Sequence, residues 1–279
     1  MEDYIIKETK NTKITVRDVQ EKLLVLMKEI DRICLKHNID YILDGGSALG
    51  AIRHKGFIPW DDDLDIAFMR KDYNRLIEAL KEDLDDKYSF QCFQTHKEYN
   101  VLIPDMKIRI KDTYIKEVNT LLKHNCKGED GLFIDVFIID YFNEKESKNI
   151  ISRLCNVFLM PIIALLENIG IRPTILKKLF VNNAIRLNNR NINSKYIGHA
   201  ITWTFKSPFK PYFYTYDKVF PPTRVQFEDT LLPVANDYDH YLTKHFTNTY
   251  MTFPPVNARA PKHIVEINLK GKTNDLSDS

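Results

Sequence analysis

The run Trp60-Asp61-Asp62-Asp63-Leu64-Asp65-Ile66 alternates acids with apolar residues. On an extended strand successive side chains take opposite faces, so Asp61, Asp63 and Asp65 would share one face while Leu64 and Ile66 turn to a core. Carboxylates that close repel one another unless a hard cation sits among them. Asp63 and Asp65 can each give an oxygen to Mg²⁺, which prefers six oxygen ligands and fills the rest with water and substrate phosphate. One ion or two would suit such a set. Asp61 is on the right face to help and Asp62 is not, and both also suit solvated loop acids. Asp135 offers a third ligand, as the one acid in the apolar run at 131–139 (GLFIDVFII), where a lone charge is costly. Its competing role is structural, as the partner of Lys107 or Arg109.

Phosphate chemistry also needs donors and cations. Gly45 and Gly46 let backbone approach a ligand closely, and Ser47 at a helix start would add an N–H group and a hydroxyl. Arg53, His54, Lys55, Lys107 and Arg109 can neutralise phosphate charge. Lys107 and Arg109 alternate on a short strand and so share a face. Gly-Gly-Ser alone is most often a plain turn; its position between a strand and the acidic run gives it weight. The chain has no G-x-S-x-G, no Walker A loop and no G-x-G-x-x-G, which leaves out those nucleophile and nucleotide sites.

These side chains need elements to hold them. Apolar residues at three- and four-residue steps predict a helix over 16–36. A short strand follows at 39–43, then the glycine turn, with Ser47 capping a helix to about 54. Strands are expected at 63–68, 89–94, 106–110 and 131–139, and an amphipathic helix at 71–84. From about 145 helical patterns fill 146–190, followed by an aromatic, proline-punctuated stretch at 203–220, read chiefly as core. A hairpin is expected over 225–234 and a short helix over 238–246. The tail at 271–279 reads as disordered. Two packed halves result, 1–145 and 146–279.

The chain has 279 residues, 44% hydrophobic and 28% charged, with a formal charge of +2. Near-neutrality argues against a general nucleic-acid binder. Four scattered cysteines, Cys34, Cys92, Cys126 and Cys155, suit reduced buried thiols. The first 20 residues have no apolar signal-peptide core, which predicts a cytoplasmic protein. The apolar stretch at 157–166 is too short to span a bilayer and contains Pro161. With Lys145, Lys148 and Arg153 nearby, it also suggests a peripheral contact at the inner membrane face through Val157, Phe158, Leu159 and Ile162.

The segment from Leu43-Asp44-Gly45-Gly46-Ser47 through Arg53-His54-Lys55-Gly56 to Trp60-Asp61-Asp62-Asp63-Leu64-Asp65-Ile66 resembles the signature of the LicD family of phosphocholine transferases, to which fukutin-type ribitol-phosphate transferases are distantly related. The resemblance extends to Lys107-Ile108-Arg109, to Phe133-Ile134-Asp135-Val136-Phe137 and, more loosely, to a C-terminal block with Phe220-Pro221-Pro222, Phe227-Glu228 and Pro254-Pro255. The chain departs from the pattern at Glu228-Asp229, where the family usually has glycine, and at 246–250. The resemblance implies an α+β fold. Its core would be a polymerase-β-like nucleotidyltransferase with a short mixed sheet, joined to a helical, aromatic-rich C-terminal half that forms the acceptor or head-group site. It implies a Gly46-Ser47 turn, an Asp63/Asp65 pair and Asp135 as third acid. It further implies Mg²⁺-dependent transfer of phosphocholine from CDP-choline to a sugar hydroxyl of a surface-glycan precursor. CDP-ribitol or CDP-glycerol donors, and nucleotidyl transfer to a small molecule, are the alternatives; a non-catalytic scaffold on the same fold is a third, against which the presence of Asp63, Asp65 and Asp135 together argues.

Overall fold

The computed structural model describes residues 4–8, 13–118, 126–143, 150–199 and 213–270; for 150–156 it describes the backbone alone. The fold is mixed α and β, built on a seven-stranded sheet. Its central strand β8 (Phe133–Phe142) pairs in parallel with β4 (Asp65–Met69) and antiparallel with β6 (Met106–Ile110), while its last residues pair with β9 (Tyr196–Gly198). Beyond β4 lies β3 (Ile42–Leu43), beyond β6 lies β5 (Tyr88–Cys92), and beyond β9 lies β10 (Tyr214–Thr215). Ile134, Val136, Ile138, Ile66 and Phe68 are buried, as expected of strands covered by helices.

Helix α1 (Val16–Lys36) begins at a capping box: the Thr15 hydroxyl accepts the Asp18 N–H, and the Asp18 carboxylate accepts the Thr15 N–H. The expected periodic face, including Val19, Leu23, Leu26, Met27, Ile30 and Ile33, is buried. It packs with α3 (Arg70–Asp83) into one core with the sheet. That core also takes in Phe227 and Leu232 of the hairpin β11 (Thr223–Phe227) and β12 (Thr230–Val234), and Tyr241 and Leu242 of α7 (Tyr238–His245). A smaller core joins Met160 and Ile163 of α4 (Ile150–Asn168) and Phe180 of α5 (Thr174–Arg190) to Phe93, Val101 and Leu102.

Local expectations shift in three places. Strand β4 starts at Asp65, so Asp61 and Asp63 lie in the preceding loop rather than on a shared strand. Helix α2 (Gly45–His54) starts two residues before Ser47, capped by Asp44, whose carboxylate accepts the Gly45 N–H at 2.7 Å. Strand β8 runs on to Phe142, three residues past the apolar run. Phe220 and Tyr214 of the aromatic stretch are buried core; its members at 203–212 lie outside the described residues, as does the 271–279 tail. Cys34, Cys92 and Cys126 are buried, and the Cys155 side chain lies outside the description.

Candidate active site

The site forms where the start of α2 meets the starts of β4 and β8. Register fixes its centre: Asp65 is the partner of Asp135 on β8, and Asp135 is the partner of Lys107 on β6. Three charged side chains thus stand side by side across adjacent strands. The Lys107 ammonium donates to Asp135 at 2.9 Å and to Glu117 at 3.3 Å, and lies 3.2 Å from the Phe133 ring centroid. Burial pushes the Asp135 carboxyl up, Lys107 opposes this, and the outcome is about 6.

The glycines make room for acids. Gly45 has φ +49, a left-handed backbone that favours glycine. A Cβ on Gly46 would stand 2.7 Å from an Asp61 carboxylate oxygen, and one on Gly45 would stand 3.4 Å from an Asp65 oxygen. The positive end of α2 therefore faces the two carboxylates. The Ser47 hydroxyl accepts the Asp65 N–H at 2.9 Å and so ties the helix to the first residue of β4.

Negative charge accumulates here. Burial, with Asp63 and Asp62 beside it, pushes Asp61 up to about 8. Burial raises Asp63, although His263 pulls it down. Asp65 is raised well above its ordinary value, by burial and then by Asp63, Asp135, Asp44 and Asp61. Asp61, Asp63 and His263 present ligand atoms within 4.8 Å of one another, with the His263 Nε2 3.2 Å from Asp63. Asp65 and Asp135 stand outside that set. The half-buried carboxylates are oxygen donors with too little positive charge among them, so the residues present fit a divalent cation. A second set, His37, Glu82 and Asp83, differs in being neutralised: Asp83 pairs with Lys36 at 2.6 Å and with His37 at 2.5 Å.

Asp62 is not a solvated loop acid. It is buried, and its two carboxylate oxygens accept the N–H groups of Lys262, His263 and Ile264, pinning the start of β13 (Ile264–Asn268) and with it His263 beside the acids. Asp44 forms a second support. It accepts from Tyr241, and the His199 Nε2 lies 3.2 Å away. Burial alone would raise Asp44, but His199, His245 and Tyr241 outweigh it and hold the carboxyl well below the usual range.

The predicted cations separate into groups. Lys107 joins the acids. Arg109 is buried and committed to structure, donating to Gln91 at 3.1 Å and to the Gly131 carbonyl at 2.6 Å. Lys55 is exposed and has left-handed backbone at the end of α2. Arg53 donates to the Tyr250 and Thr252 carbonyls and lies over Phe253. Arg259 stacks over the same ring and over Trp60, so two guanidiniums flank Phe253. Burial and Arg259 lower Arg53, whereas Asp61 opposes them. Burial and Arg53 lower His54 to about 4, so it is neutral at pH 7. Glu228 keeps the left-handed backbone that glycine would favour (φ 53), and its carboxylate accepts the Phe57 N–H and pairs with Arg17.

Every residue predicted for the site falls within 38–149, which is the segment matched by the family model described as LicD/FKTN/FKRP, nucleotidyltransferase domain. Residues 38–149 are a LicD-family domain. Over 277 residues, covering 91% of this chain and 98% of the relative, the chain is 28% identical to the lipopolysaccharide cholinephosphotransferase LicD of Haemophilus influenzae. It is 35% identical over 106 residues to an uncharacterized protein of Rickettsia prowazekii, covering 33% of this chain and 40% of that one. A Rickettsia typhi protein, also uncharacterized, is 50% identical over 50 residues, 18% of this chain and 16% of its own length. His199, Tyr241, Arg259 and His263 lie outside the matched LicD segment, and no spacing in the sequence singles them out. The C-terminal block of the resemblance comes near them, with Pro254-Pro255, but names none of the four.

Proposed function

We propose that this chain is a phosphotransferase that moves phosphocholine from CDP-choline to a hydroxyl of a cell-surface glycan precursor, whether lipopolysaccharide, teichoic acid or capsule, on a nucleotidyltransferase-type core. One observation carries the reading: the cluster of Asp61, Asp63, Asp65 and Asp135 against a glycine helix start, in a chain that spans 98% of a relative named for cholinephosphate transfer to lipopolysaccharide. Bound at these acids, Mg²⁺ would supply charge neutralisation for the donor diphosphate.

In the reaction the acceptor hydroxyl attacks the phosphorus of phosphocholine, a new P–O bond forms, and the bond to CMP breaks. Phosphoryl transfer depends mostly on positioning and charge stabilisation. Asp61, Asp63 and His263, whose ligand atoms converge on the loop side, would hold the metal, with Asp65 beside Asp63 adding a further carboxylate. Asp135, raised to about 6 and held by Lys107, accepts the proton of the attacking hydroxyl. Lys107, reaching the acids from β6, balances charge as the diphosphate is cleaved. The Gly46-Ser47 start of α2 faces the transferring phosphate with its N–H groups, the Gly45 N–H being held by Asp44. Arg53 and Arg259, with Lys55 at the rim, hold the outer phosphate. The C-terminal half contributes the acceptor and head-group surface.

The test is incubation with Mg²⁺, a glycan acceptor and, separately, CDP-choline, CDP-ribitol and CDP-glycerol, reading CMP. CMP release with CDP-choline is the expected result. Release with another donor alone would reassign the head group, and release with none of the three would sink the reading.

A further inference from the structure

Helices α4 and α5 form a hairpin whose inner side is satisfied. Met160, Ile163 and Phe180 are buried against Phe93, Val101 and Leu102. Lys177, fully buried, pairs with Glu167 at 2.6 Å and donates to the Glu98 and Tyr99 carbonyls. The outer side is different. Phe158, Ile162, Leu165 and Ile169 recur at steps of four, three and four, so they form one stripe along α4. All four are exposed, Phe158 at 65% and Leu165 at 63%. Past the turn, where Ile171 is exposed as well, Ile175 and Leu179 continue on α5 one helical turn apart, with Ile175 at 75%. Single exposed apolar residues need no explanation, but a run of large ones over one hairpin does.

Charge selects the occupant. Residues 150–199 contain seven lysines and arginines and one acid, Glu167, in a chain whose total is only +2. That acid is consumed by Lys177. Arg172, Lys178, Arg186 and Arg190 are exposed, while Lys195, past the end of the helix, faces Asp217. A surface that combines large apolar side chains with unopposed cations matches the interface of an anionic bilayer, where apolar groups enter the acyl boundary and cations meet lipid phosphates. Among the described residues no helix is long and apolar enough to cross a membrane, so the contact lies on the surface.

We propose that the outer face of the α4–α5 hairpin docks on an anionic lipid bilayer. This stands independently of the reaction assigned to the acid cluster. Of the residues expected from sequence to make such a contact, Phe158 and Ile162 are exposed, Val157 and Leu159 are half-buried, and Lys145, Lys148 and the Arg153 side chain lie outside the described residues.

The test is co-sedimentation of the full chain with phosphatidylglycerol-containing vesicles and with pure phosphatidylcholine vesicles, at low and at high salt. Binding to the anionic vesicles alone, weakened by salt, is expected. Two double variants divide the contributions: Phe158→Glu with Leu165→Glu removes apolar contact, and Arg172→Gln with Lys178→Gln removes charge. Each should weaken binding about tenfold or more. Both should leave the melting temperature and CMP release from a soluble donor unchanged, since all four side chains are exposed and outside the acid site. No binding by the wild-type chain to anionic vesicles at low salt would overturn the proposal, as would binding indifferent to Phe158→Glu/Leu165→Glu. So would sedimentation velocity showing a wild-type dimer that this same double variant splits, because the face would then belong to a second copy.

Discussion

Strand β8 carries two acids five residues apart, Asp135 near its start and Asp140 near its end, and the sheet treats them in opposite ways. Asp140 is buried and meets Arg70, equally buried, through two hydrogen bonds of 2.5 and 2.7 Å. The fork of a guanidinium fits a carboxylate, and the pair is complete. Asp135 is half-buried and has one cation, Lys107, which it shares with Glu117, while Asp65 stands beside it in register and Asp63 and Asp61 follow. One end of the strand is neutral and closed, and the other holds an excess of negative charge at an accessible edge. Charge left uncompensated by the protein implies compensation from a ligand.

This contrast can be broken directly. Asp65→Asn or Asp63→Asn should reduce CMP release about a thousandfold, the order expected when several kcal/mol of charge stabilisation are lost. The melting temperature without metal should hold or rise, because repulsion is relieved. Turnover near the wild-type rate at saturating Mg²⁺ would remove these residues from the site. Asp140→Asn should do the reverse. It removes the charge that neutralises the buried Arg70, at a cost of about 3–5 kcal/mol in denaturant unfolding, while CMP release per folded molecule stays close to wild type.

Asp135→Asn sharpens the comparison. Lys107 loses the charge of its 2.9 Å partner but keeps that of Glu117 at 3.3 Å. The loss of stability should therefore be about 1–2 kcal/mol, well below that of Asp140→Asn, with activity down about a hundredfold. A stability loss equal to that of Asp140→Asn would make Asp135 a structural partner.

The smallest effect is with pH. Asp61 is pushed up to about 8 and Asp135 to about 6, whereas an unfolded aspartate titrates at about 3.9. Between these values the folded chain holds protons that the unfolded chain has lost, so stability falls as pH rises through that window. The melting temperature of metal-free protein should decline from about pH 5 to about pH 8, and Mg²⁺ should flatten the decline. A melting temperature that climbs over this range would mean that the acids are already compensated.

The cluster of acids was legible in residue types, but its support was only partly so. Alternation marked Asp63 and Asp65, and an acid in an apolar run marked Asp135. Alternation of faces requires a strand, yet Asp61 and Asp63 reach the cluster from a loop. That loop ends at a β4 start tied to Ser47. The helix cap went to Ser47 because serine commonly caps, whereas Asp44, three residues earlier, takes that place. Asp62 looked like a surface acid because its partners, the backbone N–H groups of 262–264, are about two hundred residues away. His263 and Arg259 are legible only once that contact is known. Arg109 and Lys107 share a strand face, but a two-residue step moved Arg109 beyond the acids and onto Gln91 and Gly131.

The most direct test of the central claim is calorimetric titration of Mg²⁺ into the wild-type chain, Asp65→Asn and Asp140→Asn. Binding by the wild type and by folded Asp140→Asn, and loss of binding in Asp65→Asn, are the expected results. Equal binding by all three, or none by the wild type, would contradict the claim.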